Sequence, residues 1–323
     1  MRILVTGGSG FLGLALTDAL ARRGDAVTSA DLGPPPAELQ AARAEGIEFR
    51  RLDVTDAAAI RTLLDDVRPE TIVHAAAATP DAAREAAGDS AAIVAANIGG
   101  TANLIEAAAV RGTRILALSS VAIYGRTLAD TNRLHENMPP RPQILYAITK
   151  AAAESLALRL GAVHDMPVCT PRIGILWGAW EHRTSLRATP SPAFAMFEAA
   201  RAGHDIVLPE AASAPLLHVD ACVAALLALI DGDVRGIINL GAPASVDLVK
   251  FAVRIAERYG VTARIDSEAA NIPLFAANRP PTDNTRLHTA TGHDIPAHDT
   301  ALIAAHADWL DAHYGTPVSQ SAI

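Results

Sequence analysis

Cysteine and positive charge are scarce in this 323-residue chain, and each shortage excludes something. The two cysteines, Cys169 and Cys222, are too few for a disulfide framework and lack the paired spacing of a zinc site. No metal is expected, and a reducing compartment, the cytoplasm, fits. Basic residues number 27 against 35 acidic ones, a formal net charge of -8. Such a chain has no global attraction for nucleic acid or anionic membrane, and no local basic patch offsets this. Neither is expected as a partner. The longest apolar run, near Ala221 to Ile230, is far short of the ~20 residues of a membrane helix. The chain enters a strand at Ile3 to Thr6, which leaves no room for a signal peptide. Lysine is scarcest of all the charges: only Lys150 and Lys250 break a set of arginines. A lysine kept against that background is marked for its chemistry.

What is present is globular: 50% hydrophobic and 19% charged residues. The first half alternates apolar strands with amphipathic helices. Strands are expected at Ile3 to Thr6, Ala26 to Asp31, Ile47 to Leu52, Thr71 to Ala75 and Arg114 to Ser119. Helices are expected at Phe11 to Arg23, near Ala57 to Val67, and from about Ala83 to Val110 with Gly99-Gly100 inside. Repeated βα units predict an α/β fold, a doubly wound parallel (Rossmann) sheet. The order weakens after residue 170. The expected organisation is a nucleotide-binding domain at 1–170 and a smaller substrate lobe at 171–323. A helix at Val219 to Ile230 and a strand at Gly236 to Leu240 are expected to rejoin the main sheet.

Gly7-Gly8-Ser9-Gly10-Phe11-Leu12-Gly13 spaces three glycines as G-x-x-G-x-x-G between the first strand and first helix. In that context glycine lets backbone N–H groups approach a pyrophosphate at a helix N-terminus. Elsewhere the same string is only a tight turn. Asp31 closes the second strand about twenty residues on, where a carboxylate accepts from both adenosine ribose hydroxyls and repels a 2′-phosphate. Asp53 either reaches the adenine or caps the next helix. Tyr146 and Lys150 lie four apart, on one helix face. A tyrosine of pKa ~10 becomes a base near neutrality only beside a positive charge. With four tyrosines and two lysines in the chain, chance supplies this spacing in roughly one such chain in forty. Ser119-Ser120 ends the fifth strand, where a hydroxyl either orients a substrate oxygen or caps a turn.

These segments, with His74 to Ala77, Asn97 to Thr101, Ser119 to Gly125, Pro171-Arg172 and His218 to Asp220, resemble the extended short-chain dehydrogenase/reductase family, the NAD-dependent epimerase/dehydratase group. The matches keep the family order over about two thirds of the chain. The resemblance implies NAD held by Gly7, Gly10, Phe11, Leu12, Asp31, Asp53, Val54, Ala75, Ala76, Asn97, Tyr146, Lys150 and Ile173. It also implies a catalytic triad of Ser120, Tyr146 and Lys150, since Ser120 and not Ser119 falls on the family's position relative to Tyr124-Gly125. A homodimer is implied through the Ala83 to Val110 helix and the Tyr146 helix.

The chain departs from the nucleotide-sugar members at two places. Ala214 stands where they carry a diphosphate-gripping arginine, and Ile173-Gly174-Ile175 stands where they carry an asparagine. Losing such charge-assisted bonds costs ~1.5–3 kcal/mol. Arg183, with Arg187, either meets one substrate carboxylate or is a solvated loop residue. The segment from Ala188 to Ala202, with Phe194 and Phe197, is expected to wall a compact site. The expected activity is an NAD-dependent oxidoreductase transferring hydride from a secondary alcohol of a small sugar, polyol or sugar acid. The alternative is a sugar or nucleotide-sugar 4-epimerase.

Overall fold

The computed structural model describes residues 1–79, 85–184, 190–274 and 277–315, with backbone alone for 126–130. In the first half, strands β1 (Arg2–Thr6), β2 (Ala26–Asp31), β3 (Glu48–Arg51), β4 (Thr71–His74), β5 (Arg114–Ala117), β6 (Ser119–Ser120) and β7 (Val168–Ile173) alternate with helices. In the second half come β8 (Ile175–Trp177), β9 (Ile206–Leu208), β10 (Ser213–Ala214), β11 (Leu216–His218), β12 (Gly236–Leu240), β13 (Val246–Asp247) and β14 (Ala263–Ile265). The main sheet runs β12-β7-β5-β4-β1-β2-β3, with β6 extending it beside β7. Every pairing in it is parallel. Parallel strands are covered on both faces, so β1 reads as the unbroken apolar run Ile3-Leu4-Val5, each fully buried. Strand order reverses at β1, which has β2 on one side and β4 on the other. A crevice opens at such a switch point, beyond the carboxyl ends of the strands.

The helix Phe11–Arg22 packs one sheet face, burying Leu14, Leu16 and Leu20. The helix Ala57–Val67 starts on Asp56, whose side chain accepts from the Ala58 and Ala59 N–H groups. The next long helix is described from Ser90 to Ala109; its expected start near Ala83 lies among residues 80–84, outside the described set. A π turn at Ala95–Gly99 interrupts it. By length and composition this helix could cross a bilayer, but here it packs against Ala57–Val67 and the helix Leu145–Val163. Gly100 is required there, because a Cβ would lie 2.6 Å from a Val54 methyl.

The helix Val219–Asp231 lies against Phe11–Arg22, and it leads into β12, which joins the edge of the main sheet next to β7. The rest of the second half has a core of its own: Trp177, Met196, Phe197, Leu216, Phe251, Ile255, Ile303 and Leu310. Trp177 centres it, stacked on Phe197 at 6.5 Å and edge-on to Phe251 at 5.1 Å. Phe197 is 1% exposed, so it fills this core and does not wall the crevice. Cys169 and Cys222 are buried free thiols, both pushed up to about 12 by burial.

Candidate active site

A cleft of about 960 Å³ runs along the carboxyl ends of the strands, between the sheet and the C-terminal lobe. One end is built from the β1 turn. Gly7 has φ +72°, and a Cβ there would stand 2.5 Å from the Ala76 backbone N. At Gly13 a Cβ would stand 2.0 Å from the Gly7 carbonyl oxygen. No other residue fits this close crossing of turn, helix and β4 loop. The helix that follows has Gly10 as N-cap and no side-chain cap, so its positive end faces the cleft, where Phe11, Leu12 and Gly13 lie.

Asp31 stands beside that turn. Its carboxylate accepts from the Ser9 N–H at 3.0 Å and the Leu32 N–H at 2.7 Å. Burial pushes its acid strength down, raising its pKa, while those two N–H groups and the nearby His182 act the other way. Asp53 also lines the cleft, and one oxygen, Oδ1, holds the Thr55 N–H and hydroxyl. It is a turn residue; the helix cap is Asp56. Val54, Ala75, Ala76 and Ile173 complete the cleft walls here. Asn97 does not. It is 2% exposed and absent from the cleft surface. Its amide accepts from the Ala78 N–H at 2.7 Å and donates to the Ala78 carbonyl and the Thr149 hydroxyl. Asn97 thus ties the loop after β4 to the Tyr146 helix, a second-hand support of the cleft.

Ser120, Tyr146 and Lys150 face the same cleft. Ser120 Oγ accepts from the Ala122 N–H at 3.2 Å, so its own proton remains available to donate. The neighbouring Ser119 Oγ is buried with no partner among the described residues. Lys150 is 6% exposed, and burial brings it down to about 8 against the opposing pull of Glu154. Behind it, His74 bonds Thr6 Oγ1 at 2.7 Å and Thr101 Oγ1 at 3.1 Å. Burial, with the charge of Lys150, pushes His74 down to about 3, so it is neutral.

The lobe side of the cleft carries Ile175, Leu176, His182, Arg183, Thr184, Ser191 and Arg279. Arg183, read from the sequence as either a substrate-carboxylate partner or a solvated loop residue, lies exposed at the cleft mouth with its guanidinium forked onto Glu198, Nε at 3.0 Å from Oε1. Arg187 lies outside the described residues. Ala214 is fully buried in the lobe core. Arg279 was not legible from the sequence, where it sits in the unremarkable run Asn278-Arg279-Pro280. It is half-buried on the cleft wall and forms no hydrogen bond or ion pair with any described residue; burial alone weakens its hold on its proton. Toward the C-terminus, His288 bonds Asp294 at 3.0 Å, while His298 packs on Trp177 and Phe251.

A family model described as the NAD dependent epimerase/dehydratase family matches residues 3–241. A dTDP-4-dehydrorhamnose reductase of Streptomyces griseus is 35% identical over 159 residues, covering 49% of this chain and 45% of the relative. A 3 beta-hydroxysteroid dehydrogenase/Delta 5-->4-isomerase of Mycobacterium tuberculosis is 32% identical over 230 residues, 67% of this chain and 55% of the relative. A dTDP-L-rhamnose 4-epimerase of Burkholderia thailandensis is 30% identical over 220 residues, 57% and 60%. The chain thus spans about half the length of the curated relatives it matches. Among solved structures, UDP-glucose 4-epimerase of Thermus thermophilus, in complex with NAD, superposes with a TM-score of 0.79 at 24% identity, covering 96% of this chain and 98% of that one. MoeE5 in complex with UDP-glucose and NAD gives 0.77 at 24%, with 97% and 100% covered.

Proposed function

The chain belongs to the NAD dependent epimerase/dehydratase family, whose relatives are epimerases, reductases and dehydratases, and on that footing we propose that it oxidises a secondary alcohol of a compact sugar, polyol or sugar acid. The cofactor is NAD, and the residues fit it: an all-glycine crossing, an uncapped helix N-terminus and a carboxylate at the ribose position lie on one cleft. When bound, NAD supplies a hydride acceptor. The protein's part is proton handling and orientation. Ser120, free to donate, holds the substrate oxygen. Tyr146 takes the hydroxyl proton, and the Lys150 ammonium favours the phenolate that does so.

The observation that carries the substrate class is the charge left on the lobe wall. Among the described residues, Arg183 is paired with Glu198, Ala214 is buried, and Arg279 has no hydrogen-bond or ion-pair partner. One guanidinium matches one carboxylate in a fork; a diphosphate bears more charge than it can meet. A nucleotide-sugar 4-epimerase is the second reading, favoured by the curated 4-epimerases and the UDP-glucose complex among the chain's likenesses. A screen of free sugars, polyols and sugar acids with NAD, read by NADH fluorescence, should find turnover. Arg279→Ala should raise KM for an acid substrate by about tenfold or more, the loss of a charge-assisted bond of ~1.5–3 kcal/mol. Micromolar binding of UDP or UDP-glucose to the NAD-bound protein, read by calorimetry, would overturn the reading and promote the epimerase.

A homodimer belongs to this proposal. Val94, Val110, Ile148 and Val163 are 40%, 80%, 46% and 54% exposed, on or just beyond the two helices Ser90–Ala109 and Leu145–Val163. A two-fold pairing of these helices would cover them.

A further inference from the structure

Behind the cleft lie buried charges that this chemistry leaves without a role. Glu154 is one turn past Lys150 on the helix Leu145–Val163, so the two share a face. Both are buried, at 5% and 6% exposure. Arg172 of β7, only 1% exposed, forks onto Glu154: Nε donates to Oε2 at 3.0 Å and a terminal nitrogen donates to Oε1 at 2.7 Å. The other terminal nitrogen donates to Tyr124 Oη at 2.8 Å and to the Glu136 carbonyl at 3.1 Å. Tyr124 in turn donates to Asn239 Oδ1 at 2.7 Å. The carboxylate is therefore fixed from β7 through to β12.

A buried ion pair is weak grounds for stability, since apolar residues often fill the same space as well or better. Its position offers another reason. Among the described residues, the neighbouring groups bring Lys150 no second anion. His74 is neutral, and Tyr124 and Cys169 are both held protonated, chiefly by burial. The Glu136 carboxylate is turned to the Asn239 N–H at 2.9 Å, and Glu106 pairs with His164 at the far end of the helix. Burial works to strip Lys150 of its proton, and Glu154 is the charge that opposes it.

We propose that Glu154, locked by Arg172, is a positioning residue that keeps Lys150 an ammonium beside Tyr146 without touching substrate. The role given to the Lys150–Tyr146 pair is that of the preceding section. With Glu154 gone, one buried cation stands beside another, and the proton on Lys150 is held less tightly.

The chain makes the test direct, because Lys150 and the exposed Lys250 are its only lysines. Lysine labelled with ¹³C at the ε carbon gives two NMR signals, which Lys250→Arg assigns. In Glu154→Gln the Lys150 titration midpoint should fall by at least about 0.5 unit, roughly a threefold loss of proton affinity, with Lys250 unmoved. If the stranded guanidinium unfolds that variant, Glu154→Gln with Arg172→Met removes it, and the midpoint must still move downward. A folded variant of either kind whose Lys150 midpoint stays put or rises overturns the inference. The measurement needs no substrate. Loss of turnover in Tyr146→Phe with an unmoved lysine signal would sink the role of Glu154 alone; the reverse result would sink the triad alone.

Discussion

Acid should loosen the C-terminal lobe through one histidine. His306, on the helix Ala301–Tyr314, is 4% exposed and packs edge-on to Phe197 at 4.6 Å and to Trp177 at 5.9 Å. Burial, together with the nearby charges of His218 and Arg201, pushes it down to about 3, and its Nδ1 has no partner among the described residues. The unfolded chain binds that proton with a pKa of ~6.5, so stability from this residue is fully present above that value and drains as pH falls toward 3. At pH 5 the unfolded state is favoured by about 1.5 pH units of proton binding, or about 2 kcal/mol. Against a typical total of ~5–15 kcal/mol this is a large share. The replacement His306→Phe keeps the ring contacts and removes the titration. Urea unfolding at pH 7.5 and pH 5, followed by fluorescence, reads the lobe, since Trp177 lies in its core with Trp309 packed against it, and Trp180 contacts Trp309 from the main core. The wild type should lose stability between the two pH values, and His306→Phe should lose about 2 kcal/mol less. An equal loss in both proteins would refute the assignment of a neutral buried His306.

Asp31 should make NAD bind at least about tenfold more tightly than NADP, and Asp31→Ala should narrow that gap, as titration of cofactor fluorescence would show; equal affinities in the wild type would contradict the role. Tyr146→Phe should fold and bind NAD while losing about a hundredfold or more in turnover, the usual worth of positioned proton transfer. Lys150→Met should harm both NAD affinity and turnover, and an effect on neither would remove it from the site. Light scattering at micromolar concentration should give the mass of a dimer, and Ile148→Asp should shift it to monomer; a wild-type monomer ends the dimer proposal.

The fold class, most element positions and the chemical motifs were legible in the sequence because they rest on local rules. Strands such as β1 and β4 are short apolar runs, helices have a 3.6-residue period, and a glycine turn between them carries its meaning in its spacing. Tyr146 and Lys150 stood out for the same reason, one helical turn apart and rare in composition. The structure decided what depends on partners distant in the chain. The sequence left Arg183 open between an anion partner and a solvated loop residue, and only the fold pairs it with Glu198, 15 residues on. Asn97 matched a cofactor-contact motif, yet it is buried off the cleft, its amide bonded to Ala78 and Thr149. Arg279 drew no attention as a residue in a proline-rich run, and only the folding of the lobe over the sheet places it on the cleft wall, with no partner among the described residues. Glu154 drew no notice in the sequence and Arg172 only as part of a family segment; 18 residues apart, they become a buried pair only through packing. A side chain's charge is written in the sequence, but whether that charge is spent, solvated or left facing a ligand is set by desolvation and by neighbours that only the tertiary fold brings within hydrogen-bond reach.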